Sequence, residues 1–309
     1  MEDVNGKTAF ITGGASGMGL GMAKAFAEAG MKVVIADIRD DALANAMKLF
    51  ENTDLAVTPI KLDVTDRAGW KNAADEAERR YGNIHVAALN AGVGVLGPLQ
   101  QATYKDWDFG LAVNLGGVVN GVMTLLPRML AHGEESHFVA TSSTAGFSAV
   151  GGAGIYCTSK YAVAGLMETL ATDLKGTNVG ASVFFPGPVE TAINSSTHET
   201  RPAHLKNEEP APAMVGKRDT RPTPGYDMSL FMSKEEVGKR ILRGIKRGDL
   251  FIMSHPEFRD GLRARNEALL RAIPDEPINE PRRDLVKQFG TLMYNPIYDT
   301  QKRVPGEKF

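Results

Sequence analysis

Short β-branched, apolar runs alternate along the chain with longer stretches whose apolar positions recur every three to four residues. Thr8–Thr12, Lys32–Asp37, Ala56–Asp63, Val86–Asn90, Phe138–Ser142, Ala181–Phe185 and Leu250–Met253 read as buried strands, each bounded by turn formers. Between them, Gly17–Ala29, Asp41–Phe50, Arg67–Tyr81, Lys105–Leu130, Tyr156–Leu174 and Lys234–Arg247 carry helical periodicity. Repeated β–α alternation predicts right-handed crossovers and an α/β fold: a doubly wound parallel sheet of about seven strands with helices on both faces. In such sheets ligands sit beyond the carboxyl ends of the strands.

The rhythm breaks twice. Ala192–Ser233 carries Pro202, Pro210, Pro212, Pro222 and Pro224 among charges and small residues, so it cannot be one continuous helix or a central strand. So long an irregular insert is expected to act as a lid or mobile loop. Beyond the last strand, residues 255–309 form an extension with one expected helix near Glu257–Ala272, then an arm containing Tyr294, Pro296 and Tyr298. The pattern therefore predicts a single domain over residues 1–254, with the insert at about 192–233. The extension is expected to pack on that domain or on a partner subunit.

Composition narrows the classes of partner. A net charge of −2 over 309 residues offers no electrostatic reason for nucleic acid or an anionic membrane. No uninterrupted apolar run reaches spanning length, since Gly117–Leu126 is broken by Asn120 and stopped by Pro127 and Arg128. The first seven residues lack the basic and apolar regions of a secretory leader, and a cytoplasmic location is the expectation. Cys157 is the one cysteine, so no internal disulfide can form. The six histidines share no ligand-like spacing, and no metal site is expected.

Chemistry-bearing residues collect at predicted strand ends. Gly13, Gly14, Ala15, Ser16, Gly17, Met18 and Gly19 lie between the first strand and its helix. Glycines there let the backbone turn tightly and approach a pyrophosphate, whose charge meets the amides and dipole of the helix N-terminus. Asp37 ends the second strand 18 residues after Gly19, where a carboxylate can accept both hydroxyls of an adenosine ribose and repel a 2′-phosphate. Arg39 argues weakly the other way, and NAD is favoured over NADP. Tyr156 and Lys160 are four apart near the start of a predicted helix, hence on one face. A nearby cation can lower a tyrosine pKa from about 10 by roughly 1–3 units, making the phenol a usable base toward an alcohol and an acid toward a carbonyl. An oxidised nicotinamide would add a second positive charge. Ser142 and Ser143 end the fifth strand, where a hydroxyl could hold a substrate oxygen beside Tyr156. Asn114, a poor helix former inside a predicted helix, reads either as a surface amide or as a helix kink with a proton-relaying water.

These motifs, in this order from Gly6 to about Met253, resemble the compact, single-domain branch of the short-chain dehydrogenases/reductases. The resemblance implies a Rossmann-type fold and hydride transfer between NAD(H) and a secondary alcohol or ketone. By it, Thr12–Gly19 is the cofactor loop, Asp37 the NAD-selecting acid, and Asp63 with Val64 the adenine-edge contact. Asn90, Ala91 and Gly92 form the sheet-stabilising, ribose-adjacent turn. Asn114, Ser143, Tyr156 and Lys160 match the catalytic tetrad, Lys160 also gripping the nicotinamide ribose. Ser143 is chosen over Ser142 because it lies 13 residues before Tyr156. Pro186, Val189 and Thr191 match the segment that holds the nicotinamide carboxamide. Two positions depart from the family pattern: Leu89 replaces an asparagine, and His85 stands where an acid is commoner.

Substrate selection is expected in residues 93–99, 147–155 and the proline-rich insert, where the small and apolar residues of 146–154 predict a roomy, apolar pocket with Val95, Phe147 and Val150 as candidate walls. The long insert and the extension are similar to those of Cα-dehydrogenases that oxidise benzylic alcohols in lignin-derived aryl ethers, which implies a bulky aromatic secondary alcohol. Family members commonly pair the helices matching Lys105–Leu130 and Tyr156–Leu174 across a twofold axis, so the resemblance implies a homodimer or homotetramer. Two other functions fit the same fold: a non-catalytic NAD(H)-sensing protein, and an epimerase or dehydratase.

Overall fold

The computed structural model describes residues 1–191, 193–208 and 227–306. Seven strands form one parallel sheet: β1 (Thr8–Thr12), β2 (Lys32–Asp37), β3 (Val57–Lys61), β4 (Ile84–Leu89), β5 (Ser136–Thr141), β6 (Val179–Phe185) and β7 (Phe251–Met253). Their spatial order is β3-β2-β1-β4-β5-β6-β7, with every neighbouring pair parallel. Helices α1 (Gly17–Glu28), α2 (Asp40–Lys48), α3 (Arg67–Tyr81), α4 (Tyr104–Leu111), α5 (Gly117–His132), α6 (Gly154–Asp173), α7 (Ile193–Thr200), α8 (Lys234–Arg247), α9 (Arg259–Arg271) and α10 (Glu280–Lys287) complete the described chain. This is the doubly wound, Rossmann-type architecture.

The period-2 alternation of each strand sorts the core into two layers. Ile11, Val33, Ile35 and Val86 face one side of the sheet and pack with Met22, Phe26, Val237 and Ile241 of α1 and α8. Phe10, Val34, Ala87 and Phe138 face the other and pack with Trp70, Leu125 and Val163 of α3, α5 and α6. On the first side α1 and α8 meet backbone to backbone: a Cβ on Gly21 would lie 1.8 Å from the Lys234 carbonyl oxygen.

The expected long helix is three pieces, because a π-helical turn, Ala112–Gly116, separates α4 from α5. By length and composition the run Tyr104–His132 could cross a membrane, contrary to the reading from uninterrupted apolar runs. In the fold its Val118, Leu125 and Met129 are instead buried in the second core layer beside Trp70, Leu89 and Phe138. The π-turn puts one extra residue into the helix and buries Asn114 at 1% exposure, which removes the surface-amide alternative.

Of the insert, Pro210, Pro212, Pro222 and Pro224 lie outside the described residues. The part described before them folds back over the carboxyl ends of the strands as α7 and a short turn, Ala203–Leu205. In the extension, α9 and α10 bury none of their residues, whereas the arm returns to the domain. There Ile297 is buried, Tyr298 stacks on Phe251, and the Tyr298 hydroxyl donates to Glu168 (2.7 Å).

The two departures from the family pattern are absorbed structurally. Leu89 is core, packed where Gly121 of α5 approaches. His85 accepts the Thr8 N–H at Nδ1 (3.1 Å) and pairs through Nε2 with Glu134 (3.0 Å). Burial pushes its pKa below the usual histidine value, which favours the neutral ring that this acceptor role requires.

Candidate active site

One cavity of about 510 Å³ runs along the carboxyl ends of β1, β2, β4 and β5, at the point where strand order reverses. Its floor at one end is the glycine loop. Gly13 (φ +61°) and Gly17 (φ +50°) adopt the left-handed region, which strongly favours glycine. A Cβ on Gly19 would sit 2.0 Å from the Gly13 carbonyl oxygen, so a side chain there would break the turn. Ser16, Gly17 and Met18 line the cavity beside Thr191, which packs over Gly17. Gly19, by contrast, shapes the loop from beneath.

At the end of β2, Asp37 is 8% exposed and lines the cavity. Burial raises its carboxyl pKa, against the N–H donors of Arg39 and its neighbours, which hold it down; Arg39 N–H donates to Oδ1 at 3.1 Å. The Arg39 guanidinium is paired to Glu199 of α7 (2.8 Å). Asp63 and Val64 form the adjoining wall, with Asp63 Oδ1 taken by the Thr65 N–H (2.9 Å) and hydroxyl (2.8 Å).

Asn90 ties three strands at the cavity's centre. Its Nδ2 donates to the Thr12 carbonyl (3.2 Å), and its Oδ1 accepts from the Thr141 hydroxyl (3.1 Å). Ala91 and Gly92 follow on the cavity wall, and a Cβ on Gly92 would press on Asn114 Oδ1 (3.2 Å) and Lys160 Nζ (3.5 Å). Asn114 grips the Val93 backbone at both ends, accepting its N–H (2.8 Å) and donating to its carbonyl (3.0 Å). It also donates to Ser159 Oγ (3.0 Å), so the amide locks the π-turn to β4 and α6.

Helix α6 begins at Gly154, two residues before the expected start, which places Tyr156 in its first turn and Lys160 one turn on. Both side chains reach the cavity. The Tyr156 hydroxyl is hydrogen-bonded to Ser143, whose Oγ also accepts the Ala145 N–H (3.1 Å). Ser142 does different work: its hydroxyl donates to the Lys160 carbonyl (2.8 Å) and fixes α6 to the end of β5.

Lys160 Nζ lies 5.5 Å from the Tyr156 ring centroid, yet its ammonium donates to the Thr141 carbonyl (2.9 Å). Burial pushes the Tyr156 phenol above 10, partly opposed by the Ser143 hydrogen bond, and burial brings Lys160 down to about 8. Desolvation is the largest influence on the phenol, and it acts against the anionic form.

The candidate substrate walls fall elsewhere. Phe147 is 9% exposed and packs edge-on against Phe185 (5.3 Å) and Phe258 (6.5 Å), inside the core. Val95 is buried in a small cluster with Phe109 and Ile155, one layer behind the wall. Val150 is exposed outside the cavity. Pro186 acts through its carbonyl, which accepts the Thr144 N–H (3.0 Å), and Val189 is core. The far wall is instead Phe109, Ala112 and Val113 facing Ile193, Pro202 and Leu205. Apolar spacing in α4 marks Phe109 as buried, but only tertiary structure opens it onto a cavity.

The chain matches the short chain dehydrogenase family over residues 7–202. It is a member of that family of oxidoreductases. It is similar to the C alpha-dehydrogenase of Sphingobium sp. (strain NBRC 103272 / SYK-6), at 35% identity over 88% of each chain. Among solved structures, a short-chain dehydrogenase/reductase from Burkholderia phymatum in complex with NAD superposes with a TM-score of 0.81 at 33% identity, covering 90% of this chain and 100% of that one. The apo form of LigO from Sphingobium sp. strain SYK-6 gives 0.75 at 36% identity, covering 95% of this chain and 99% of that one.

Proposed function

We propose that this chain transfers a hydride between NAD(H) and a bulky aromatic secondary alcohol or its ketone, with Tyr156 as acid/base. The observation that carries this reading is convergence: Tyr156 and Lys160 open onto the same cavity as the glycine loop and Asp37. The residues fit a dinucleotide. The cradle closed by Gly13 and Gly19 admits a pyrophosphate, and Asp37 can take two ribose hydroxyls. NAD(H) is the cofactor this fit favours, and it is bound by the relative from Burkholderia phymatum.

A nicotinamide held there would supply or take the hydride. Tyr156 holds the transferable proton at Oη and delivers it to a carbonyl oxygen, or receives it from an alcohol. Ser143 shares a hydrogen bond with that hydroxyl, which supports the reading that it holds the substrate oxygen beside Tyr156. Lys160 carries positive charge under the site, anchored on Thr141, and Asn114 keeps the α6 face and the β4 turn in register. The apolar wall of Val93, Phe109, Val113 and Leu205 suits an aromatic group and excludes water from the reacting carbon. The similarity to a C alpha-dehydrogenase supports the same substrate class.

The test is an NADH-absorbance screen of benzylic, steroidal and aliphatic secondary alcohols with the wild type and Tyr156→Phe. Benzylic substrates are expected to lead, and the variant should keep NADH binding while turnover falls by about 10²–10⁴-fold. Undiminished turnover removes Tyr156 from the chemistry, and loss of NADH binding in the wild type removes the cofactor assignment.

A further inference from the structure

Asp37 and Arg39 leave the end of β2 with opposite charges, and both line the cavity where an adenosine ribose would lie. A carboxylate there favours free ribose hydroxyls, while a guanidinium there welcomes a 2′-phosphate. The sequence thus carries a contradictory instruction. The structure resolves it from 160 residues away: Glu199, near the end of α7, pairs with Arg39 Nη1 at 2.8 Å. Two carboxylates against one guanidinium leave this corner with a net single negative charge. The next cation along, Lys61, is itself paired with Asp40.

We propose that Glu199 is a specificity-determining residue for the cofactor, which by holding Arg39 withholds the guanidinium that would otherwise receive a ribose 2′-phosphate. This rests on the NAD(H) reading above and deepens it. The described part of the insert, α7 with the turn Ala203–Leu205, is thus a strap over the cavity, and it, not the β2 end alone, sets the preference.

Helix α7 does not depend on this ion pair for its place. The Gly94 N–H donates to Thr197 Oγ1 (2.7 Å), and Arg201, just past the helix, pairs with Asp106 of α4 (2.7 Å). Asp106 also accepts from Asn207 Nδ2 (3.1 Å), a second tie between strap and α4. Glu199 itself is 55% exposed, so Glu199→Gln removes a charge without opening a cavity or stranding a buried group. A phosphate dianion arriving beside Arg39 then loses one repulsion and gains one free partner.

The experiment is calorimetric titration of the full chain with NADH and with NADPH at one fixed, low ionic strength, for wild type, Glu199→Gln, Arg39→Ala and the double variant. At partly exposed separations of a few ångströms, the charge change should raise the NADPH-to-NADH affinity ratio about tenfold in Glu199→Gln. The double variant should return the ratio to the wild-type value or below, because the receiving guanidinium is gone. A ratio in Glu199→Gln within twofold of wild type overturns the proposal. So does a gain that survives removal of Arg39, since the phosphate would then be read by some other group. If both cofactors lose affinity equally in Glu199→Gln, the pair is a strap fastening with no part in selection, and the proposal also fails. Wild type that binds neither dinucleotide refutes the cofactor assignment itself, an outcome separable from the others because it precedes any substitution.

Discussion

Replacing Lys160 with methionine should make the protein more stable near neutrality and nearly inactive. The side chain is 3% exposed, and burial lowers its pKa from the usual 10.5 to about 8. That difference, at 1.36 kcal/mol per pH unit, means that folding the charged ammonium into this site costs about 3 kcal/mol. Below pH 8 the lysine is protonated in both native and unfolded states, so the cost is fully present. Between 8 and 10.5 the unfolded chain binds the proton more tightly than the native protein, so wild-type stability rises with pH and the cost fades. Methionine removes the charge at nearly constant volume but strands the Thr141 carbonyl, losing about 1 kcal/mol. The net expectation at pH 7 is a gain of about 2 kcal/mol, read as a higher urea midpoint. The gain should shrink, and then reverse, as pH is raised from 8 toward 10.5. Alcohol oxidation should fall by at least about a hundredfold in the same variant. A variant less stable than wild type at pH 7, or a stability gap independent of pH, would show that the ammonium is not held against its desolvation in this way.

Two further expectations test the frame around the site. Gly21→Ala places a Cβ 1.8 Å from the Lys234 carbonyl and must part α1 from α8; it should lower the urea midpoint by about 1–3 kcal/mol of stability, while Gly165→Ala, with open space around it, should be neutral or mildly stabilising. The isolated chain leaves Leu270, Ile273, Leu285 and Phe289 of the extension more than half exposed, so light scattering after gel filtration should give a dimer or tetramer at micromolar concentration; a single-chain mass refutes this.

The fold was legible because most strands are short, nearly continuous apolar runs between turn formers, the pattern of strands covered on both faces. The glycine loop, Asp37, Tyr156 and Lys160 were legible for a related reason: each is tied to an element end by local chain geometry. Phe147 was not, because its surroundings come from β6 and from Phe258 of the extension, far away in sequence. An aromatic residue near Tyr156 looks the same along the chain whether it faces substrate or core. The far wall was legible only as a region: the proline-bearing insert was expected to take part in substrate selection, but its composition could not single out Ile193, Pro202 and Leu205. Arg39 belongs to the same class, since its partner Glu199 lies on the strap.

The phenol shows most plainly where spacing stops being informative. Four residues of helix guarantee that Tyr156 and Lys160 are neighbours, but an ammonium influences its neighbour through what remains after its own hydrogen bonds and desolvation. Here it donates to the Thr141 carbonyl, and the low-dielectric site that strengthens its field also disfavours both charges. Near neutrality the resting pair is therefore neutral phenol beside ammonium, the form ready to protonate a carbonyl. Ionising Tyr156 for the oxidative direction needs stabilisation beyond the Ser143 hydrogen bond. Since burial brings Lys160 down to about 8 and pushes the phenol up, raising the pH is expected to remove the cation before it frees the phenolate. Alkaline pH alone is thus expected to activate this tyrosine poorly, whereas a positive charge brought into the cavity with a ligand would favour the phenolate.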